Sequence, residues 1–354
     1  MENSQHLDPA DIIDKNKDEI DVEGFKIRIS DLIQNRLLPQ YFKAPLVGLW
    51  EITRACNLSC IHCYNNSGKK LSTELTHSQR LDVAQQIVDA KIMRVCLSGG
   101  EPILSKSFWD VAEKLKQGKV MCNTITNGWF IDQEIAKKFS KYFKNIQVSI
   151  DGATAKTHDK IRGKKGSFDR AVNAVKSLIE NGVNVSICFT INSINANELD
   201  KVIELADSLG AFIFRTDRVR FLGRAAINQN KYNFYPSDEQ IKTMNKTIIE
   251  NKKKYENKMI IEYFSDSVRA YTDLITNIPN YNIYISPSGR CAPDSMIPFS
   301  GGSLKEKSLL EIWDELKNCN SNPKYAKLVN QIKTNQDFLK LPVVPYVGGE
   351  LHDK

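Results

Sequence analysis

Short apolar runs alternate along much of the chain with longer segments whose apolar residues recur every three or four positions. From Leu46 to Val219 the short runs predict six strands, at 47–53, 95–98, 121–126, 146–150, 183–191 and 212–219. The longer segments predict five helices between them, at 80–90, 107–116, 133–142, 168–181 and 197–209. Such alternation is typical of parallel strands joined by right-handed crossovers. A closed eight-stranded barrel would need two more units, so the sequence predicts an α/β fold, a (β/α)6 partial TIM barrel.

The segments on either side of this alternation show a different pattern of apolar and polar residues. Residues 1–24 are polar and are expected to form an arm, and helical spacing of apolar residues predicts a short helix within 25–41. Beyond Val219 the alternation stops, and we expect a charged helix, a hairpin and another helix, at 240–255, 281–292 and 308–318. The predicted units are therefore an arm at 1–43, the partial barrel at 44–225, and a small α+β extension with its tail at 226–354.

Three cysteines, Cys56, Cys60 and Cys63, directly follow the first predicted strand. Thiolates are soft ligands that select iron–sulfur clusters, zinc or copper(I). A structural zinc site usually takes four ligands in two pairs, and no second closely spaced pair of cysteines follows in this sequence. Three thiolates would instead hold three irons of a cubane cluster and leave the fourth iron open to a substrate. A zinc knuckle is the alternative.

Other polar or glycine-rich positions follow the later strands in the same way. They are the segment Gly99-Gly100-Glu101-Pro102, then Asn127, the pair Ser149 and Asp151, and Asn192. Because the carboxyl ends of parallel strands meet at one edge of a sheet, we expect these residues to share a rim with the cysteines.

The Cys-x3-Cys-x2-Cys spacing, with Gly-Gly-Glu-Pro starting 36 residues after Cys63, resembles the radical S-adenosylmethionine (radical SAM) superfamily. The resemblance implies an enzyme with a 4Fe–4S cluster whose open iron binds the amino and carboxylate groups of S-adenosylmethionine. One electron from the cluster then cleaves the sulfonium, and a 5′-deoxyadenosyl radical abstracts hydrogen from the substrate. The same resemblance implies the (β/α)6 partial barrel over about residues 44–225.

The resemblance also implies roles for single residues. His62 would lie against the adenine, Glu101 would accept hydrogen bonds from the cosubstrate ammonium group, Ser149 would contact the ribose, and Arg162 would contact the methionine carboxylate. Asn127, Asp151 and Asn192 are weaker candidates for the same pocket. His62 as a surface residue, and Asp151 as a residue that caps or turns the chain, are the alternatives.

The hairpin and helix near the end of the chain resemble the twitch or SPASM extension of many radical SAM enzymes. Cys291 lies where such extensions carry a cluster ligand, but only Cys319 follows it, so we expect one cluster and a degenerate extension. Cys291 is then a candidate hydrogen donor to a substrate radical, or a relic. The remaining cysteines, Cys96, Cys122 and Cys188, fall inside strands and are expected to pack in the core.

Four arginines lie at and after the sixth predicted strand. We expect salt bridges for Arg218 and Arg220, and a role facing the substrate for Arg215 or Arg224.

The composition of the chain changes the predicted function little. The 354 residues carry 49 basic and 42 acidic side chains, a mild excess that demands no anionic partner.

No apolar run approaches the length of about 18 residues that a membrane helix needs, and the polar N-terminus does not resemble a signal peptide. We therefore expect a cytoplasmic protein with reduced cysteines and with neither a nucleic-acid nor a membrane partner. The favoured function is a radical SAM enzyme that modifies a peptide by epimerisation, crosslinking or excision, with a cellular electron donor such as flavodoxin or ferredoxin. The alternatives are a small-molecule substrate, such as a sugar, an aminoglycoside or a tetrapyrrole, and a non-catalytic metal-binding protein.

Overall fold

The computed structural model describes residues 19–22, 25–28, 41–264 and 279–341. Most strands join one open sheet. They are β3 (Val47–Thr53), β4 (Arg94–Gly99), β5 (Met121–Thr126), β6 (Asn145–Ser149), β7 (Asn184–Ile191), β8 (Ile213–Arg218), β9 (Ile260–Phe264), β10 (Asn282–Ile285), β11 (Arg290–Ala292) and β12 (Gly302–Ser303). Their order across the sheet is β12-β11-β10-β3-β4-β5-β6-β7-β8-β9. Pairing is parallel from β10 through β3 to β9, and β11 and β12 add antiparallel pairs at one edge.

The helices of the described residues are α1 (His77–Asp89), α2 (Phe108–Gln117), α3 (Gln133–Tyr142), α4 (Ala155–Arg162), α5 (Ser167–Glu180), α6 (Leu199–Ser208), α7 (Gly223–Tyr232), α8 (Asp238–Lys254), α9 (Leu309–Leu316) and α10 (Pro323–Asn330). Most of them pack against this sheet, whereas α7 and α10 contribute to smaller apolar clusters beside it. Apolar faces explain the packing: α2, for example, buries Phe108, Val111 and Leu115 completely. Phe108 stacks on Phe143, with the ring centroids 5.6 Å apart, which links neighbouring crossovers.

The (β/α)6 partial barrel is confirmed, because the six predicted strands form six consecutive parallel strands. The prediction that the alternation stops after Val219 is wrong. Helices α7 and α8 lead into β9, which pairs in parallel with β8, and β10 pairs in parallel with β3 at the other edge. The sequence of β9, Ile-Ile-Glu-Tyr-Phe, does contain a short apolar run, but two helices separate it from β8, and it was not counted as a strand of the alternation.

At the start of the chain, β1 (Glu19–Val22) pairs antiparallel with β2 (Phe25–Arg28). The short helix predicted within 25–41 is therefore wrong for residues 25–28, and residues 29–40 lie outside the described part. The predicted hairpin is confirmed as β10 and β11, and the helix after it as α9. In α9 the buried Trp313 donates its indole N–H to the carbonyl of Phe42, which ties the extension to the segment before β3. Within the described ranges, no helix has the length and apolar character that crossing a bilayer requires.

Candidate active site

The cysteine loop, residues 54–68, leaves the end of β3 and is closed at its base by a bridge between Ala55 and Gly68. A buried carboxylate fixes this base. Glu74 accepts hydrogen bonds from the Thr53 hydroxyl at 3.0 Å and from the Arg54 backbone N–H at 2.9 Å. Arg80 of α1 pairs with Glu74 at 2.8 Å, so the buried charge is compensated. Arg80, in the first turn of α1, therefore holds Glu74 in place, and Glu74 fixes the direction in which the loop leaves β3.

The end of β4 packs directly against the loop. A Cβ atom at Gly100 would lie 2.3 Å from the carbonyl oxygen of Ala55, so only glycine fits there. Asn65 donates its amide to the Gly99 carbonyl at 3.1 Å and to the buried Glu51 carboxyl at 3.2 Å. The two glycines therefore permit close contact between the strand end and the loop.

Helix α7, which the sequence analysis missed, holds the far side of the loop. Arg224 donates from Nη1 to the carbonyl of Cys60 at 2.8 Å and from Nη2 to the carbonyl of Ser67. Asn228 donates to the carbonyl of Ile61 at 2.9 Å. These hydrogen bonds satisfy backbone carbonyls of a loop that lacks the regular hydrogen bonds of a helix or sheet. Arg224 is thus a residue that positions the loop, and the expectation that it faces the substrate is not met.

Each of the three thiols lies close to N–H donors. Backbone N–H groups of Leu58 and Ser67 lie 3.5 Å from Cys56 Sγ and 3.3 Å from Cys63 Sγ. Side-chain donors add to these: Asn127 Nδ2 is 3.8 Å from Cys56 Sγ, and Arg162 Nη1 is 3.9 Å from Cys60 Sγ. Hydrogen bonds of this kind stabilise sulfur that carries negative charge, as thiolate ligands of a cluster do.

Burial raises the pKa of the Cys56 thiol to about 12 and that of the Cys60 thiol to about 11, with Arg162 opposing the rise at Cys60. These two thiols are therefore protonated before a metal binds, and metal binding releases their protons. Among the residues that the structure describes, no three His, Cys, Asp or Glu side chains converge on one metal ion. A cubane does not require that convergence, because each thiolate binds a different iron. The loop fits a cluster with three cysteine ligands.

A buried carboxylate, Asp151, lies beneath the loop between two basic side chains. Its Oδ2 atom is 2.7 Å from Arg162 Nε and 3.3 Å from His62 Nε2, and its Oδ1 atom accepts the Thr190 backbone N–H at 2.8 Å. Burial acts to raise the pKa of Asp151, but Arg162 and His62 outweigh it, so the pKa lies below its usual value. The backbone N–H of Asp151 donates to His158 Nδ1 at 3.1 Å.

Asp151 orients Arg162 at the base of the cavity and also bonds the neighbouring strand β7, but its own side chain does not line the cavity, so it acts through Arg162 and the turn. Burial lowers the pKa of His62 to about 4, so this imidazole is neutral at pH 7. His62 is buried, so its alternative as a surface residue is wrong.

A cavity of about 420 Å³ opens beside the loop at the carboxyl ends of the strands. The sequence-predicted residues that line it are the three cysteines, His62, Gly99, Gly100, Asn127, Ser149 and Arg162. The volume falls within the usual range for a small-molecule site.

Three predicted residues point elsewhere. Glu101 is buried and accepts hydrogen bonds from the Thr126 hydroxyl and the Asn127 backbone N–H, both at 2.8 Å. Burial raises its pKa to about 7, although these bonds lower it. Asn192 accepts the Ile194 N–H at 3.0 Å and so shapes a turn. Pro102 is buried at the start of a 3-10 turn. These side chains support the strand ends that form the rim.

The cysteines outside the loop do not all lie where the sequence predicted. Cys188 of β7 lines the cavity beside Ser149, its partner in the neighbouring strand, so the expectation that it packs in the core is wrong. Cys96 and Cys122 are half-buried. Cys291 is completely buried in the apolar core and is absent from the cavity wall, so it does not face the site. The period-two pattern of β7 could have indicated Cys188, since it shares the face of Thr190.

The charged wall of the cavity comes from β8 and the segment after it. Arg215 pairs with Glu262 at 2.7 Å and donates to Gln147 Oε1 at 3.2 Å, with 37% of its side chain exposed in the cavity. Arg220 pairs with Asp217 at 2.7 Å, as predicted. Arg218 lies over the ring of Tyr235, 5.8 Å from its centroid. Arg215 is therefore both paired and accessible.

Comparisons with known proteins agree with this geometry. The profile of the Radical SAM superfamily matches residues 50–206. Sporulation killing factor maturation protein SkfB of Bacillus subtilis is 31% identical over 288 residues, which cover 78% of this chain and 68% of SkfB. Mycofactocin maturase MftC of Mycolicibacterium smegmatis is 36% identical over 196 residues, which cover 54% of this chain and 50% of MftC. The chain thus spans about half the length of the mycofactocin maturases that it matches.

A solved structure has the same fold. Streptococcus suis SuiB bound to precursor peptide SuiA aligns with a TM-score of 0.65 and 13% identity, covering 92% of this chain and 79% of that chain. The chain belongs to the radical SAM superfamily. The cofactors of this family are a 4Fe–4S cluster and S-adenosylmethionine.

The contact between Gly100 and the loop gives a first testable prediction. Gly100→Ala forces Ala55 to move, so we expect the reconstituted protein to lose most of its iron. Gly48→Ala is the matched control, because a Cβ atom at Gly48 would make its closest contact at an ordinary 3.5 Å. Iron and sulfide analysis after anaerobic reconstitution measures the effect. Equal iron content in the two variants would contradict the account of the loop.

The buried histidine His158 gives a prediction on pH. Burial lowers its pKa to about 4 in the folded protein, whereas an unfolded histidine titrates near pH 6.5. Between these values the unfolded chain binds a proton that the folded chain does not, so the free energy of unfolding falls as the pH drops from about 6.5 to 4. Urea unfolding of the cluster-free protein should show a shallower pH dependence in His158→Gln, by up to one proton. An unchanged slope in His158→Gln would contradict this account.

Proposed function

We propose that this protein is a radical SAM enzyme that matures a ribosomally made peptide by epimerisation, crosslinking or excision. The observation that carries the proposal is the cavity at the strand ends, where three thiols with N–H donors face Ser149 and Arg162. A structural metal site would not need such a cavity, and a binding protein would not need an open position on its cluster.

Cys56, Cys60 and Cys63 would hold the cluster, and Ser149, Arg162 and His62 would contact S-adenosylmethionine. When bound, the two cofactors supply a 5′-deoxyadenosyl radical by one-electron cleavage of the sulfonium. Asp151 keeps Arg162 charged and oriented, so its fork can bind a carboxylate without reorganising. The neutral His62 presents an uncharged ring at the cavity wall, which suits contact with an adenine better than an imidazolium would.

The peptide substrate is proposed from the relatives. SkfB and MftC are named as a maturation protein and a maturase, and SuiB was solved with a precursor peptide. In this chain the cavity continues past Cys188 to Arg215 and Asp217, whose polar groups can bind backbone amides or an ionised side chain. We place the protein in the cytoplasm, where thiols stay reduced and a flavodoxin or ferredoxin can supply electrons.

The first test is reductive cleavage of S-adenosylmethionine. Anaerobically reconstituted protein should carry about four irons per chain, because Cys291 and Cys319 are too few to hold a second cubane. With dithionite it should form 5′-deoxyadenosine. Cys60→Ala should abolish the product, since two thiolates cannot hold the cubane, whereas Cys122→Ala, outside the cavity wall, should retain it. Product formation by Cys60→Ala at the wild-type rate would refute the assignment.

A second test concerns the charged wall. Arg215→Lys keeps the charge but loses the fork that joins Glu262 and Gln147, so we expect the KM for the peptide to rise by about tenfold or more. Cleavage of S-adenosylmethionine without peptide should not change. Arg94→Lys, at the opposite end of the barrel, is the control.

The substrate for this test is a precursor peptide encoded beside the gene, deuterated at its α-carbons. Deuterium should appear in 5′-deoxyadenosine when an α-hydrogen is the one abstracted. Transfer from a deuterated sugar or tetrapyrrole in place of the peptide would contradict the substrate proposal.

A further inference from the structure

The cysteine loop also reaches the protein surface outside the cavity: Ser59, between Cys56 and Cys60, is exposed and does not line the cavity. We call this part of the loop its outer side. The turn between α4 and α5 packs against it: a Cβ atom at Gly163 would lie 2.4 Å from the Ser59 carbonyl oxygen, and Gly163 has a φ of +68°. Lys164 Nζ donates to the carbonyl of Asn57 at 3.2 Å. The outer side of the loop is therefore framed by this turn.

The framing segment is strongly basic. Residues 159–170 carry five basic and two acidic side chains. Of the two acids, Asp159 accepts the backbone N–H groups of Gly166 and Phe168 and the Ser167 hydroxyl, so it is largely occupied within the turn. Asp169 is the other. The side chains of Lys160, Lys165 and Arg170 are exposed.

Two aromatic residues complete this surface. Trp129 lies under Lys164, whose Nζ is 4.0 Å from the ring centroid, and Arg170 is 5.7 Å from the same centroid. Phe130 beside it is 37% exposed. We call this surface the basic face, and it consists of Ser59, Trp129, Phe130, Lys160, Lys164, Lys165 and Arg170.

We propose that the basic face is the docking site of an acidic one-electron carrier protein, such as flavodoxin. The proposal rests on the proposed function, because reductive cleavage consumes one electron that must come from outside the chain. The cavity side of the loop is the side for cosubstrate and substrate, which leaves the outer side for the carrier. In the step itself the carrier loses one electron and the cluster gains it, with no bond formed or broken.

The character of the surface suits this partner. Redox encounters are small and transient, and charge complementarity speeds them more than it tightens them. A few exposed cations around an aromatic pair provide such a patch, whereas a stable complex would need a larger apolar core. The acidic surface of the carrier would be steered to the part of the cysteine loop that is exposed.

The test is a triple charge reversal, Lys160→Glu, Lys165→Glu and Arg170→Glu, in the cluster-loaded protein. The control reverses three exposed lysines of α8, as Lys242→Glu, Lys246→Glu and Lys253→Glu, with the same change in net charge. We expect binding of oxidised flavodoxin, followed by fluorescence titration at about 50 mM salt, to weaken by tenfold or more in the first variant and by about twofold in the control. The difference should vanish at about 0.5 M salt.

Stopped-flow reduction of the cluster by reduced flavodoxin should slow in parallel, while excess dithionite should reduce the cluster to the same extent in all three proteins. Equal effects of the two triple variants would overturn the proposal. The proposal would also fail if the first variant bound poly-L-glutamate more weakly than the wild type but bound flavodoxin equally well, since that result would assign the face to an acidic peptide. A wild-type cluster that dithionite cannot reduce would count against the proposed function instead.

Discussion

The need to satisfy the backbone of an irregular loop determines how this site is built. Residues 54–68 form almost no ladder hydrogen bonds, yet the loop must hold three thiols at fixed positions. Side chains from distant segments supply the missing partners: Glu74 before α1, Lys164 after α4, and Arg224 and Asn228 on α7. An unpaired buried carbonyl or N–H costs about 1–3 kcal/mol, so these bonds together determine whether the loop keeps one conformation. The parallel sheet matters because it brings these segments to one end.

Electrostatics within the rim follow from the same arrangement. Asp151 is buried, and it remains ionised because Arg162 lies against it and the Thr190 backbone N–H donates to it. The result is an arginine held beside a cysteine sulfur and a cavity, in a region of low dielectric where a charge acts strongly. A cluster held by three thiolates would carry a net negative charge, and Arg162 is already in place to compensate it.

Much of this could be predicted from the sequence, because the signals were local. Apolar runs located the six barrel strands, and the spacing of Cys56, Cys60 and Cys63 indicated a cluster with an open iron. The misses had physical causes. The roles of Glu74 and Arg224 depend on contacts with residues 20 to 164 positions away, which no local pattern encodes. The motif at Gly99 and Gly100 was found, but its glycines contact the loop, and its Glu101 bonds the end of β5. Cys291 looked functional because of its place in a resembling hairpin, whereas the fold buries it and brings Cys188 to the cavity instead.

The central claim is that the cysteine loop holds a cluster whose fourth iron is open to S-adenosylmethionine. Electron paramagnetic resonance of the anaerobically reduced protein, recorded before and after the cosubstrate is added, tests it most directly. The account predicts the signal of a reduced 4Fe–4S cluster and a change in its g-values when S-adenosylmethionine binds the open iron. A spectrum that is unchanged at saturating S-adenosylmethionine, or the absence of any cluster signal in protein that retains its iron, would contradict it.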